Sequence, residues 1–243
     1  MPELPEVEIQ VRQLARRIRG ARIRSLRVRD SKLRLPASLV GRRIRRVWRR
    51  GKFIIFDLDD GRHLVAHLRM TGWFEFREPA RYRAAIVTNR STAYFTDSRR
   101  FGVLLAVSAR ELEEILRPLG PEPLENGCDA SRLKRTGRAV KVALLDQHLL
   151  AGIGNIYASE SLWRARIHPR RRANRLDAME LRRLRRGIVT ALRKGIAYGP
   201  RIFEVQQFTV YDRAGRPCRR CGALIRRIVQ AQRSTFFCPS CQC

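Results

Sequence analysis

Four cysteines near the C-terminus constrain this chain more tightly than any other feature. Cys218-x-x-Cys221 is followed by 16 residues and then by Cys238-x-x-Cys241, the spacing of four thiolates folded round one tetrahedral ion. Each Cys-x-x-Cys turn offers two sulfurs, and Gly222 frees the backbone beside the first. Four protein ligands leave no open coordination position. The spacing therefore predicts one structural Zn2+ that does no chemistry and orders a module too short to bury much core. Short strands are expected around these cysteines from about residue 206. Cys128 stands alone in a proline-rich stretch, and Cys243 is a spare at the chain end.

Upstream the hydrophobic period changes twice. Leu4, Val7, Val11, Leu14 and Ile18 recur at three- and four-residue spacing, which predicts an amphipathic helix over 3–19 ended by Gly20. From 21 to about 108 the period shortens. Phe53-Ile54-Ile55-Phe56 runs through Asp59-Asp60-Gly61 into His63–Leu68, a buried hairpin. A second strand pair, 84–87 and 93–96, is joined across Asn89-Arg90-Ser91, and a further strand follows at 102–107. Residues 109–116 read as helix until Pro118, Gly120, Pro121 and Pro123 break it. Helical patterns then dominate over 129–147, 155–166 and 177–197. The fold class is α+β: a helix-led antiparallel β domain over 1–117, a linker over 118–128, a helical domain over 129–205 and the metal module over 206–243.

Charge narrows the partner. Fifty-two basic against 22 acidic residues leave a net +30, and 47 of the basic residues are arginine. Such a field concentrates polyanions and releases condensed counterions from nucleic acid. Arginine-rich codon usage is the bland alternative for the basic count, and it leaves the charge reading standing because the acidic residues have not risen in step. Glu3, Glu6 and Glu8 occupy the place where a secretory signal would be basic. No apolar run approaches the roughly 20 residues of a bilayer span. The expectation is a cytoplasmic protein without a membrane partner, nucleoid-associated in a prokaryote. The four histidines share no ligand spacing and are assigned no metal.

The first residues, Met1-Pro2-Glu3-Leu4-Pro5-Glu6, suit a helix start, with proline early and acid at the positive end. They also carry a chemical possibility. Methionine before proline is commonly removed, and the secondary amine so exposed can attack a sugar carbon to form an iminium, an electron sink. Glu3 beside it can protonate a ring oxygen as the sugar opens.

These residues and several later blocks resemble the formamidopyrimidine-DNA glycosylase/endonuclease VIII family, closest to its formamidopyrimidine branch, over nearly the whole chain. The blocks are the start MPELPEVE, Arg50-Gly51-Lys52, His67-Leu68-Arg69-Met70-Thr71-Gly72 and Asp97-Ser98-Arg99-Arg100-Phe101-Gly102. Leu119–Leu124, Gly152–Glu160 and the cysteine tail with Gln232–Phe236 complete the set, all in order. The resemblance implies a β-sandwich behind the first helix, a helix–two-turn–helix domain and a β-hairpin zinc finger. It implies Pro2 as nucleophile, Glu3 as proton donor and Glu6 as part of the lesion pocket. Lys52 would touch the phosphate beside the lesion and assist β-elimination. Arg233 would grip phosphate and serve δ-elimination.

Met70, Arg99 and Phe101 match the family's wedge, which fills the hole left by a flipped nucleotide and bonds the orphaned base. Lys141 matches a position near the lesion strand. Asn155 opens a predicted helix after two glycines; a plain capping asparagine and a phosphate site both fit it, and the resemblance favours the second. The implied reaction is excision of oxidised bases from double-stranded DNA by a monomer, followed by β,δ-elimination that leaves a one-nucleotide gap. Three features depart from the family. Ser98 stands where proline is common, Arg69 where glycine is frequent, and only eight residues, 198–205, replace a longer lesion-capping loop. That loop leaves the lesion open between ring-opened or oxidised purines and the oxidised pyrimidines of the endonuclease VIII type. A non-catalytic zinc-containing nucleic-acid binder would share the charge and the cysteines, yet needs no free Pro2 beside Glu3 and Lys52.

Overall fold

The computed structural model describes residues 2–33, 35–125, 130–199, 202 and 207–242. Met1, Cys128, Cys243 and most of the 198–205 segment lie outside them. The chain divides into two compact units, Met1–Pro118 and Leu119–Cys243.

The first unit opens with α1 (Leu4–Ile18). Its apolar residues at three- and four-residue spacing form one stripe, and Leu4, Val7, Leu14 and Ile18 are fully buried. Each such side chain contributes about 2 kcal/mol on leaving water. Two four-stranded antiparallel sheets receive the stripe. One has the order β1 (Ile23–Val28), β6 (Ala84–Thr88), β7 (Thr92–Thr96), β5 (Trp73–Glu75). The other runs β2 (Ile44–Arg50), β3 (Phe53–Leu58), β4 (His63–His67), β8 (Val103–Val107). Both sheets and α1 send side chains into one core, with Ile54, Phe56, Leu64 and Leu104 from one sheet and Ile23, Ile86, Phe95 and Phe74 from the other.

The unbroken apolar run of β3 has a simple cause. Ile54 and Phe56 face the shared core, while Ile55 points the other way and packs with Val65, Val107 and Leu112. Leu112 belongs to α2 (Ala109–Leu116), which covers that outer face. Ser108 starts α2, accepting the Glu111 N–H at 3.3 Å while Glu111 accepts the Ser108 N–H at 2.7 Å, a capping box.

In the second unit the helix expected over 129–147 is broken. A 3-10 helix spans Ala130–Arg135 and α3 only Val140–Leu144. Between them Ala139 bridges Arg172, and the Val140 N–H donates to the Arg171 carbonyl at 2.7 Å. That extended pairing satisfies backbone groups which a continuous helix would have used itself. The long helices are α4 (Asn155–Ala165) and α5 (Ala178–Ala197), the latter capped by Asp177. They pack closely because Gly187 has no side chain; a β-carbon there would lie 2.6 Å from the Ser161 carbonyl oxygen. Strands β9 (Arg226–Gln230) and β10 (Arg233–Phe237) form the terminal hairpin. Glu160 of α4 anchors the chain entering it, its Oε1 accepting the N–H groups of Thr209, Val210 and Tyr211 at 2.8, 2.8 and 3.1 Å.

Candidate active site and nucleic-acid interface

Pro2 is buried at the head of α1, followed by Glu3 and Glu6, each about 1% exposed. Glu3 is the N-cap, with extended backbone, and its N–H donates to Glu6 Oε2 at 2.8 Å. Two carboxylates are thus held at the positive end of a 15-residue helix, where its dipole favours them. Glu8, one turn on, binds Arg49 at 3.0 Å, and Arg49 also donates to the Gly51 carbonyl at 3.0 Å. The pair ties α1 to the β2–β3 turn. Gly51 takes φ +56° in that turn, a conformation glycine adopts without steric cost, and Lys52 follows it, half-buried.

His67 was missed by sequence reasoning, although it lies inside a quoted block. It ends β4 opposite Phe53, whose ring meets the imidazole edge-on at 4.8 Å. Its Nδ1 accepts the Arg69 N–H at 3.1 Å. Burial, then the charges of Arg69 and Lys52, lower its pKa to about 3. The side chain is a neutral imidazole whose remaining N–H is Nε2–H.

The three residues that match the family's wedge, Met70, Arg99 and Phe101, sit on two loops stitched together by Asp97. Thr71 donates to Asp97 Oδ1, as does the Arg99 N–H at 3.2 Å, while the Gly102 N–H reaches Oδ2 at 2.6 Å. Arg83 bridges Asp97 Oδ2 at 3.1 Å and Asp30 at 2.7 Å, and Arg100 chelates Asp30 from the other side. Those two guanidinium groups hold the Asp30 carboxyl well below the usual carboxylate range. The backbone at Arg69 and Arg100 is left-handed, φ +54° and +56°. On this frame Met70 is 39% and Phe101 55% exposed, and the Arg99 guanidinium lies 4.9 Å from the Phe101 ring. They are not core residues. Neither Asp97 nor Asp30 was singled out from sequence; Asp97 lay in a quoted block, and Asp30 in an arginine-rich run gave no signal.

The second unit gathers Asn155 and Arg233. Gly154, not Asn155, is the N-cap of α4, so the capping reading of Asn155 fails. Its Nδ2 instead donates to the Ser234 carbonyl at 2.9 Å, holding the hairpin beside the helix N-terminus, and its Oδ1 is buried without a hydrogen-bond partner. Arg233, next to Ser234, is exposed at the hairpin tip. Lys141 is fully buried on α3, its backbone N–H sharing the Pro169 carbonyl with the side chain of Gln230 on β9 at 3.4 and 3.3 Å. The sulfurs of Cys218, Cys221, Cys238 and Cys241 lie within 4.8 Å of one another. Tetrahedral zinc with bonds of about 2.3 Å needs sulfurs about 3.8 Å apart, and the Cys221–Cys241 and Cys218–Cys241 separations of 3.3 and 4.0 Å bracket that value. Trp163 Nε1–H donates to Cys218 at 3.4 Å and the Cys241 N–H to Cys238 at 3.4 Å, bonds that favour thiolates. The donor set fits one structural zinc.

Comparison with known proteins follows this division. Residues 1–104 match the formamidopyrimidine-DNA glycosylase N-terminal domain, 119–207 the formamidopyrimidine-DNA glycosylase H2TH domain, and 215–242 the zinc finger found in FPG and IleRS. The chain belongs to the formamidopyrimidine-DNA glycosylase family. A family member from Thermus thermophilus is 43% identical across all of this chain and 98% of its own length. The crystal structure of that organism's MutM (Fpg) protein gives a TM-score of 0.90 at 42% identity, covering 99% of this chain and 98% of the other. Lactococcus lactis formamidopyrimidine-DNA glycosylase, non-covalently bound to an AP site containing DNA, gives 0.89 at 34% identity over 99% of both chains. A MutM in complex with carbocyclic 8-oxo-G containing DNA gives 0.88 at 33% identity over the full length of both. Among the described residues, no helix of this member is long and apolar enough to cross a membrane.

Proposed function

We propose that this family member excises oxidised purines, formamidopyrimidines foremost, from double-stranded DNA through its own Pro2 and then cuts the strand. The observation that carries the reading is the buried Glu3–Glu6 pair fixed directly behind Pro2 at the head of α1. Once Met1 is removed, the Pro2 nitrogen attacks the C1′ carbon of the damaged nucleotide, the base departs with the bonding electrons, and the proton lost by the nitrogen neutralises the departing base. Glu3 gives its proton to the ring oxygen, the ring opens, and the nitrogen lone pair completes an iminium. That cation withdraws electrons so that C2′ loses a proton and the 3′ phosphate leaves. Loss of the 5′ phosphate follows, and water releases Pro2. Glu6 shapes the lesion pocket, and Lys52 contacts the flanking phosphate and serves β-elimination. Arg233 and Asn155 grip phosphate, with Arg233 serving δ-elimination. Met70, Arg99 and Phe101 fill the vacated stack, and we group Lys141 with the lesion side on resemblance alone. The protein works as a monomer on chromosomal DNA.

Borohydride reduction with an abasic-site duplex tests the chemistry. The expected product is one covalent adduct on Pro2, weakened at least tenfold in Pro2→Gly. A mature chain that keeps Met1, or an adduct mapped to another amine, overturns it.

A second reading concerns the lesion. Tyr198 and Gln207, on either side of the short segment, meet through the Gln207 N–H and the Tyr198 hydroxyl at 3.3 Å. The alignment with the Thermus protein runs to 263 positions against 243 residues here. The eight-residue span 198–205 supports a reduced cap over the flipped base, and with it a narrowed purine preference. Competition between formamidopyrimidine, 8-oxoguanine and 5-hydroxyuracil duplexes decides; fastest loss of 5-hydroxyuracil would make the enzyme pyrimidine-directed.

A further inference from the structure

At the far end of α4 from Asn155 the second unit has an open cavity of about 440 Å³. Five arginines line it: Arg164 and Arg166 where α4 ends, Arg183 and Arg186 on α5, and Arg220 between the first two cysteines. Trp163, Gly187 and Thr190 complete the wall. Arg220 stacks on the Trp163 ring at 4.0 Å and donates to the Trp163 carbonyl at 3.2 Å. No acidic residue lines the cavity. Among the described residues no carboxylate pairs with these arginines; Asp177 is electrostatically coupled to Arg183 but is already engaged as the cap of α5.

The grouping is built into the packing. Gly187 lets α5 approach α4 so closely that a β-carbon there would lie 3.3 Å from Arg164 Cβ. The Nε atoms of Arg164 and Arg183 are buried and have no hydrogen-bond partner, which is costly for a cationic donor. The C-terminus of α4 offsets only about half a charge. Five cations with donors left over and no counter-charge describe a site for an oxyanion, because guanidinium forks match phosphate oxygens in pairs.

We propose that this basin is a second phosphate-binding site, separate from the Asn155–Arg233 grip. Eleven residues of α4 at about 1.5 Å each put the two roughly 15 Å apart along the helix. A phosphate held at one end of the helix is out of reach of the donors at the other. The basin therefore takes either the backbone of another duplex segment or a free phosphate compound. It rests on none of the Pro2 chemistry.

The test has two arms on the full zinc-loaded chain. In the first, inorganic phosphate replaces chloride at constant ionic strength while the arginine Nε–H signals are followed by NMR. The Arg164 and Arg183 signals should shift saturably. The shift should weaken at least tenfold in affinity in the double variant Arg166→Asn, Arg186→Gln, two exposed positions, with asparagine chosen for the left-handed backbone of residue 166. Zinc content and melting temperature confirm that the variant folds. In the second arm, labelled undamaged duplex is added to protein already saturated with a short abasic-analogue duplex. A second bound duplex that the double variant loses identifies the ligand as nucleic acid. Phosphate shifts without a second duplex identify a small phosphate compound. Absence of shifts, or a variant that binds phosphate as the parent does, overturns the site. Failure of Pro2 trapping would leave the first arm unaffected.

Discussion

Asp97 shows how one carboxylate organises a surface it does not reach. Its side chain is fully buried, and it accepts from Thr71, Arg83 and the N–H groups of Arg99 and Gly102, so both loops bearing the exposed Met70, Arg99 and Phe101 depend on it. Asp97→Ala leaves buried donors and the Arg83 charge uncompensated, a loss of about 3–5 kcal/mol. Urea unfolding should show it. Asp97→Asn keeps the shape but cannot accept at both oxygens. Its single-turnover excision rate should fall about tenfold with a much smaller loss of stability; unchanged excision would mean the loops hold without the carboxylate. His67 bears on pH. Its pKa is about 3 in the fold against an ordinary 6.5, so between those values the unfolded chain binds the extra proton. Stability attributable to His67 is therefore complete above about pH 6.5 and declines as pH falls toward 3. His168, lowered chiefly by burial, adds in the same direction. Urea midpoints measured from pH 7 to pH 4.5 should drop, and the drop should shrink in His67→Asn, which cannot take up the proton.

At the scale of elements the terminal hairpin is the least comfortable piece. Its two turn residues, Ala231 and Gln232, have φ of +46° and +59°. The two-residue hairpin favours that left-handed pair, but residues with a Cβ resist it and Asn-Gly adopts it readily. Ala231→Asn with Gln232→Gly should stabilise the protein by about 1 kcal/mol, read from thermal unfolding with zinc held constant; no gain would mean that the zinc cluster alone sets the stability. The zinc knuckles themselves were legible because ligand spacing is local. So was α1, whose stripe repeats undisturbed, and so was the β3–β4 hairpin. Strands β1 and β2 were not individually legible, since Ile23–Val28 and Ile44–Arg50 place arginines at the positions where alternation would show. The 129–147 segment misled because its helical spacing could not reveal that residues 139 and 140 pair with the chain 30 residues on. The site divides in the same way. Pro2, Glu3, Glu6 and Lys52 stand out by residue type and motif. Asp97, Asp30 and His67 owe their roles to partners distant in sequence, which no local pattern reports.

Over the whole molecule, 47 arginines and a net charge of +30 must be divided between those that meet DNA and those that are merely solvated. Some are occupied within the protein, as Arg83 and Arg100 are on Asp30 and Arg49 is on Glu8. Exposed arginines such as Arg233 at the hairpin tip remain available to phosphate. Counterion release separates the two populations, because each phosphate contacted steepens the fall of log K against log salt by about 0.9. A protein that grips about six phosphates should give a slope near −5 on undamaged duplex, and lose on the order of a thousandfold in affinity between about 50 and 200 mM salt. Arg233→Ala should make the slope shallower by about one contact. Arg83→Met should change stability and leave the slope alone, since that charge is already spent inside the fold. A flat salt response in the parent protein would assign the arginines to solvation. A slope unmoved by Arg233→Ala would remove the hairpin tip from the phosphate grip.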